Sequence, residues 1–145
     1  MAHVVLVALE PGQHSERALD SALSTSAERG GRLHVVTVVG GYDPFQRLEY
    51  AAEKHQLHLE REKAELEARV QAARARFSGA AAPAPVVELH VLVGPPAKEI
   101  LRLARKLEAS LLVVGRGNRA LKAVLGSVAQ DVLREAPCSV LVVPD

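Results

Sequence analysis

S-L-L-V-V-G-R-G-N-R-A-L-K-A-V-L-G-S-V-A-Q-D-V-L-R-E-A-P-C-S-V-L-V-V, residues 110–143, decides the fold. It opens on a short aliphatic run, Ser110–Val114, and closes on another, Ser139–Val143. Between them lie a glycine-rich loop, Gly115–Ser127, and a helical segment marked by Val128, Val132, Leu133 and Ala136 and stopped by Pro137. Both runs are apolar without alternation, as expected of strands covered on both faces. The same grammar extends toward the N-terminus. V-V-L-V-A-L (Val4–Leu9), L-H-V-V-T-V-V (Leu33–Val39) and V-V-E-L-H-V-L-V (Val86–Val93) are further strand candidates. Ser15–Arg29 carries Ala18, Leu19, Ala22, Leu23 and Ala27 on one side and stops at Gly30-Gly31. A long stripe from Leu48 to Phe77 runs through Ala52, His55, Leu59, Leu66, Val70 and Ala73. Ala97, Ile100, Leu101, Ala104 and Leu107 mark a third helix, begun by Pro95-Pro96. Five strands alternating with four helices predict an α/β fold: one doubly wound, Rossmann-like parallel sheet with helices on both faces and right-handed crossovers.

Length and composition set the outer limits. The chain has 145 residues, enough for one domain with a core of its own. Lys plus Arg is 18 and Asp plus Glu is 17, a net charge of +1, which argues against a general nucleic-acid or membrane-surface binder. Two Tyr, two Phe and no Trp give no stacking platform for single strands. The longest wholly apolar run, Val4–Leu9, is far shorter than the roughly 20 residues a membrane span needs. A single cysteine, Cys138, rules out an internal disulfide and any multi-cysteine metal site, and is expected to be a small buried hydrophobe. The chain begins directly with a strand-like run rather than a targeting segment, and a soluble cytoplasmic domain spanning residues 1–145 is expected. S-G-A-A-A-P-A-P (Ser78–Pro85) is a small-residue connection without chemistry.

In open α/β sheets, ligands bind beyond the carboxyl ends of strands, near helix N-termini. Leu9–Gly12, Val38–Tyr42 and Gly115–Ser127 take such places, and Gly40–Pro44 is a candidate rim. The third segment is the most informative. Gly115 and Gly117 allow close backbone approach, and Gly126-Ser127 offers amides and a hydroxyl where a helix dipole favours an anion. Arg116, Arg119 and Lys122 add three cations and no acid. A phosphate cradle fits this pattern. So does a plain turn with a solvated basic loop.

Several motifs together resemble the universal stress protein family. A strand ending V-V-G leads through a glycine loop to G-S and a helix, and A-P-C-S-V-L-V-V-P closes the chain. The opening V-L-V-A-L-E followed by H-S-E-R-A-L, and G-P-P-A-K-E-I-L followed by A-S-L-L-V-V-G, agree in order. The resemblance implies strand order 3-2-1-4-5 and an adenine nucleotide, ATP or ADP/AMP, with Mg as an optional companion. It places Glu10 at the adenosine end and Ala8 and Val38 around adenine. Val114 and Gly115 match the loop start, and Gly126, Ser127 and Val128 the phosphate-binding helix start. Gly117 is the approximate counterpart of the family's second glycine. The chain departs from the family's G-x2-G-x9-G-S/T, reading G-x-G-x8-G-S, two residues shorter. Glu10 stands for the usual Asp, Pro11 for a Gly and Ser110 for an Asp. In the implied order Ser139–Val143 is an edge strand. Antiparallel pairing with its copy in a second chain would satisfy the open ladder, so a homodimer is expected. The expected role is a nucleotide-binding regulatory stress-response module, at most a slow ATPase, with protein partners unspecified. The competing expectation is a nucleotide-free dimeric interaction protein of the same fold.

Other patterns carry less. Gly115-x-Gly117-x-x-Ala120, with Asp145 after the next strand, also fits a dinucleotide fingerprint, but needs one helix from about Asn118 to Glu135 with Gly126 inside it. The P-loop motif is absent from the sequence. His55, His58 and Glu62 have helical metal-ligand spacing, yet lie on an apolar stripe and a charged surface. His34 and His90 fall within strands and are expected to be satisfied at sheet faces. His14 lies near the ligand edge, and no base pairs with any Ser or Cys to suggest nucleophilic catalysis.

Overall fold

The computed structural model describes residues 3–11, 16–40, 48–77, 84–117 and 125–144. The elements run β1 (Val4–Leu9), α1 (Arg17–Glu28), β2 (Arg32–Val39), α2 (Leu48–Arg76), β3 (Val87–Val93), α3 (Pro96–Lys106), β4 (Leu111–Gly115), α4 (Ser127–Glu135) and β5 (Ser139–Val143). Every strand pair is parallel, and the order is β3-β2-β1-β4-β5. The chain winds outward from β1 to β3, then crosses to β4 and β5 on the other side. This reversal opens a crevice between the carboxyl ends of β1 and β4.

The unbroken apolar runs follow from that architecture. Alternate residues of a strand point to opposite faces. Val5, Val7 and Leu9 of β1 pack into the core shared with α1 and α2, whereas Leu6 packs into the core shared with α3 and α4. Both cores are dense with fully buried side chains such as Leu19, Leu33 and Leu112. On α1 the inward positions are Ala18, Leu19, Ala22, Leu23 and Ser26. Ser26 takes the last-turn place expected of Ala27, which is only half-buried. On α2 the core face is Leu66, Val70 and Ala73, with Phe77 packed beside them. Leu59 is half-buried on the same stripe, while the side chains of Leu48 and Ala52 lie outside the described residues.

Local chemistry sets the boundaries. A Cβ on Gly31 would collide with the carbonyl of His3, which accepts the N–H of Arg32 at 2.9 Å, so only glycine lets the chain enter β2 there. Pro95 and Pro96 open α3 and the chain leaves α4 at Ala136, ahead of Pro137. Ser110 precedes β4 instead of beginning it. Its N–H donates to the Val4 carbonyl at 2.8 Å, and its hydroxyl accepts from the Val4 N–H at 3.1 Å and donates to the same carbonyl at 3.0 Å. This clasp fixes the register of β4 on β1, with Val5 opposite Leu111. Among the described residues, no helix is long and apolar enough to cross a membrane.

Candidate functional site

Beyond the carboxyl ends of β1, β2 and β4 lies a cleft of about 850 Å³. Its apolar floor is Ala8 from β1, Val36 and Val38 from β2, and Val114 from β4. All four belong to the sheet face that α3 and α4 cover. Ile100 of α3 and Ala129 of α4 continue the apolar surface up one side. The polar part of the rim comes from Glu10 leaving β1, the backbone of Gly115 and Gly117 leaving β4, and Ser127 and Gln130 at the start of α4. A cleft of this size, mostly apolar with a few convergent polar groups, has the build of a small-ligand site.

The two glycines of the loop act differently. Gly117 has φ +70°, a left-handed conformation, and a Cβ there would lie 3.3 Å from the Cα of Gly126 and 3.8 Å from Glu10 Oε1. It is required by backbone shape and by close approach. Among the described residues a Cβ on Gly115 would meet nothing within 4 Å, so their packing does not demand glycine there, and its missing side chain leaves room in the cleft. The loop is closed at its base, where the Gly126 N–H donates to the Arg116 carbonyl at 3.0 Å and the Arg116 N–H donates to the Val143 carbonyl at 3.0 Å.

Gly126 is the N-cap of α4, with φ −63° and ψ 157°, and among the described residues no side chain caps the helix. The first amides of α4 therefore face the cleft beside the Ser127 hydroxyl. The extended ψ also removes the dinucleotide fingerprint, which needs Gly126 inside a continuous helix. Gln130 steadies the turn by donating to the Leu125 carbonyl at 2.8 Å.

Nine of the ten residues singled out in the sequence line this cleft: Ala8, Glu10, Val38, Val114, Gly115, Gly117, Gly126, Ser127 and Val128. Arg116 does not, and its backbone closes the loop instead. Arg119 and Lys122, with Gly12, His14, Gly41–Pro44, residues 78–83, Ala120 and Asp145, lie outside the described residues. Among the lining residues that carried no sequence signal, one on the long helix has distant partners. Arg69 of α2 donates from Nε to Glu16 Oε1 at 2.9 Å and from Nη1 to the Glu10 carbonyl at 3.0 Å. Its Nη2 also lies 2.8 Å from Glu16 Oε1. The long helix thereby pins the corner where β1 ends and Glu10 enters the cleft. Those partners are more than fifty residues away in sequence, and no local motif could reveal them.

The remaining candidates separate clearly. His55 is half-buried and His58 exposed on α2, as expected of edge and surface positions. Cys138 packs half-buried against the α3/α4 core, and burial pushes its thiol pKa up, away from nucleophilic use. His34 and His90 pair with each other across the sheet.

Three comparisons bear on this architecture. The model of the universal stress protein family matches residues 1–144. A universal stress protein of Thermus aquaticus is 32% identical over 145 residues, covering 99% of each chain. Among solved structures, a universal stress protein in complex with cAMP is 28% identical with a TM-score of 0.68, covering 99% of this chain and 97% of that one. The universal stress protein from Archaeoglobus fulgidus in complex with dAMP is 22% identical with a TM-score of 0.61, covering 98% and 97%, and shares the fold. With the family model matched along nearly its whole length, and the five-stranded 3-2-1-4-5 sheet that its solved relatives share, the chain belongs to the universal stress protein family.

Proposed function

We propose that the cleft binds an adenine nucleotide, ATP or ADP/AMP, and that the protein is a nucleotide-responsive regulatory module of the stress response. The observation that carries this is the meeting of three features in one cleft: a helix N-terminus that no described side chain caps, the glycines Gly115 and Gly117 beside it, and an aliphatic floor. The α4 amides and the Ser127 hydroxyl suit phosphate oxygens, because the helix dipole and unpaired N–H groups both favour an anion there. The floor of Ala8, Val36, Val38 and Val114 suits a purine face, and Glu10 can accept hydrogen bonds from a ribose or adenine edge. The relative solved with cAMP is similar enough to support this ligand class. Among the described residues Glu10 is the one carboxylate in the lining, so a Mg ion travelling with a triphosphate would take most of its oxygens from phosphate and water. The same carboxylate is the one lining group suited to general-base work, and any ATP hydrolysis is expected to be slow. The proposal includes a homodimer through β5, which lies at the sheet edge with Leu141 37% exposed.

The test is mass spectrometry of gently purified protein followed by calorimetric titration with ATP, ADP, AMP and adenosine. Ser127→Ala removes a hydroxyl bond to a charged group worth about 1.5–3 kcal/mol, a loss of about ten- to a hundredfold for ATP but little for adenosine. Glu10→Ala should weaken both alike. No copurified nucleotide and no binding heat at about 1 mM ligand would leave a nucleotide-free interaction protein as the better account, in keeping with the shortened glycine loop.

A further inference from the structure

Outside the cleft, three side chains that bind metals well meet on one face of the sheet. His34 of β2 lies opposite Glu88 of the edge strand β3, and His90 follows two residues along β3, opposite Val36. His34 Nδ1 is 2.9 Å from His90 Nε2 and 3.5 Å from Glu88 Oε2, and all three ligand atoms lie within 4.8 Å of one another. None of the three lines the cleft. We propose that His34, Glu88 and His90 form a binding site for one divalent transition-metal ion of the zinc class.

The geometry needs little adjustment. Ligand atoms around a tetrahedral zinc ion at about 2.0–2.1 Å stand about 3.3 Å from one another. The gap between the two imidazole nitrogens must open by only about 0.4 Å, the 3.5 Å from His34 Nδ1 to Glu88 Oε2 is already suitable, and the third pair, within 4.8 Å, is brought in by the exposed Glu88 side chain. Two imidazoles and one carboxylate, with a fourth position left to water, select zinc-like ions over the oxygen-seeking magnesium and calcium. The site is rooted on one side and open on the other: His34 is 6% exposed, whereas the Glu88 side chain is 66% exposed and offers a path of entry. Burial disfavours the charged form of both imidazoles, and the hydrogen held between His34 Nδ1 and His90 Nε2 at 2.9 Å moves to a far ring nitrogen before both atoms can face an ion. Arg32 and Lys106 place positive charge near the pair, and the Glu88 carboxylate opposes it. A bound ion would cross-link the edge strand to its neighbour and stabilise that side of the sheet.

The site does not depend on nucleotide binding, and its test is separate. The full chain is stripped with EDTA and titrated with Co²⁺, read by visible d–d absorption, with Zn²⁺ as competitor and thermal unfolding measured in parallel. The expected result is one Co²⁺ per chain, displaced by Zn²⁺, with a raised unfolding midpoint. Glu88→Gln changes an exposed side chain, should fold normally by circular dichroism, and should weaken binding at least about tenfold. His90→Gln should abolish the bands, while His58→Ala, on the exposed face of α2, should leave them unchanged. No saturable binding by about 1 mM Co²⁺, or binding that survives both Glu88→Gln and His90→Gln, would overturn the proposal.

Discussion

Replacing Gly117 by alanine isolates what the glycine loop does for the fold. At φ +70° an L-residue carries about 1–2 kcal/mol of conformational cost. The added Cβ would press on the Gly126 Cα at 3.3 Å and its nitrogen at 3.5 Å. Both are backbone atoms and cannot rotate aside, so about 1 kcal/mol more is expected. The lower freedom of alanine in the unfolded chain returns about 0.4–1 kcal/mol. The net loss is about 1.5 kcal/mol, a fall in unfolding midpoint of about 3–6 °C for a chain of this length. Gly115→Ala is the internal control. Its Cβ meets nothing within 4 Å among the described residues, so stability should hold or rise slightly. Nucleotide affinity should fall in both variants: through a displaced loop in Gly117→Ala, and through a filled cleft in Gly115→Ala. Differential scanning calorimetry and ligand titration on the same preparations read both effects. A Gly117→Ala midpoint within about 1 °C of the parent would mean the loop's left-handed turn does not constrain the fold, and the division of labour between the glycines would be refuted.

Leu141→Lys places a charge on the exposed edge of β5 and should convert a dimer to monomer in light scattering at micromolar concentration, whereas a parent protein that is already monomeric removes the proposed interface. Arg69→Ala deletes the Glu16 ion pair and the bond to the Glu10 carbonyl, and should cost about 1–2 kcal/mol in urea unfolding and weaken adenosine binding together; Arg69→Lys should recover only part of both. Burial holds His34 and His90 below the usual 6.5, so the unfolded chain takes up protons that the folded chain refuses. Metal-free stability should therefore be level above about pH 7 and decline as pH falls through 6.5, and a urea midpoint that rises on acidification over this range would contradict the burial of the pair.

The fold was legible because its signals are local. Val4–Leu9 reads as a doubly covered strand from its unbroken apolar run, and it occupies those very residues in the sheet. Ser110 was read as the first residue of a strand because its neighbours are aliphatic. The structure makes it a side-chain clasp on Val4, a role that depends on a partner more than a hundred residues away. The cleft was legible for the same local reason. Strand ends and helix starts are fixed by sequence, and a parallel sheet gathers them at one edge. Arg116 shows the limit of such reasoning, since a cation in the loop need not point where the loop points, and here the backbone of that residue makes the contacts. Arg69 lies beside Val70 on the stripe of α2, and nothing in its neighbourhood marks it as the residue that holds the Glu10 corner.

The two candidate sites are hidden from the sequence to different degrees because they are assembled by different rules. Most residues of the cleft come together through topology: they sit near a strand's carboxyl end or at the start of α4, and a five-stranded sheet of this order converges them, while Arg69 of α2 arrives through its own contacts. The His34, Glu88 and His90 cluster requires register as well. Alternation along β3 puts Glu88 and His90 on the same face, but a slip of one residue against β2 would set His34 opposite Val87 or Leu89, on which side chains turn to the other face. The sequence V-V-E-L-H-V-L-V therefore announces a polar pair within a strand without saying what it meets. Two histidines brought to 2.9 Å beside a carboxylate are a product of the pairing of Leu33 with Val87 and of every pair after it. Chemistry inside the sheet thus depends on register, and chemistry at its edge on connection order, so topology points to the segments that border the cleft and the family resemblance to single residues within them.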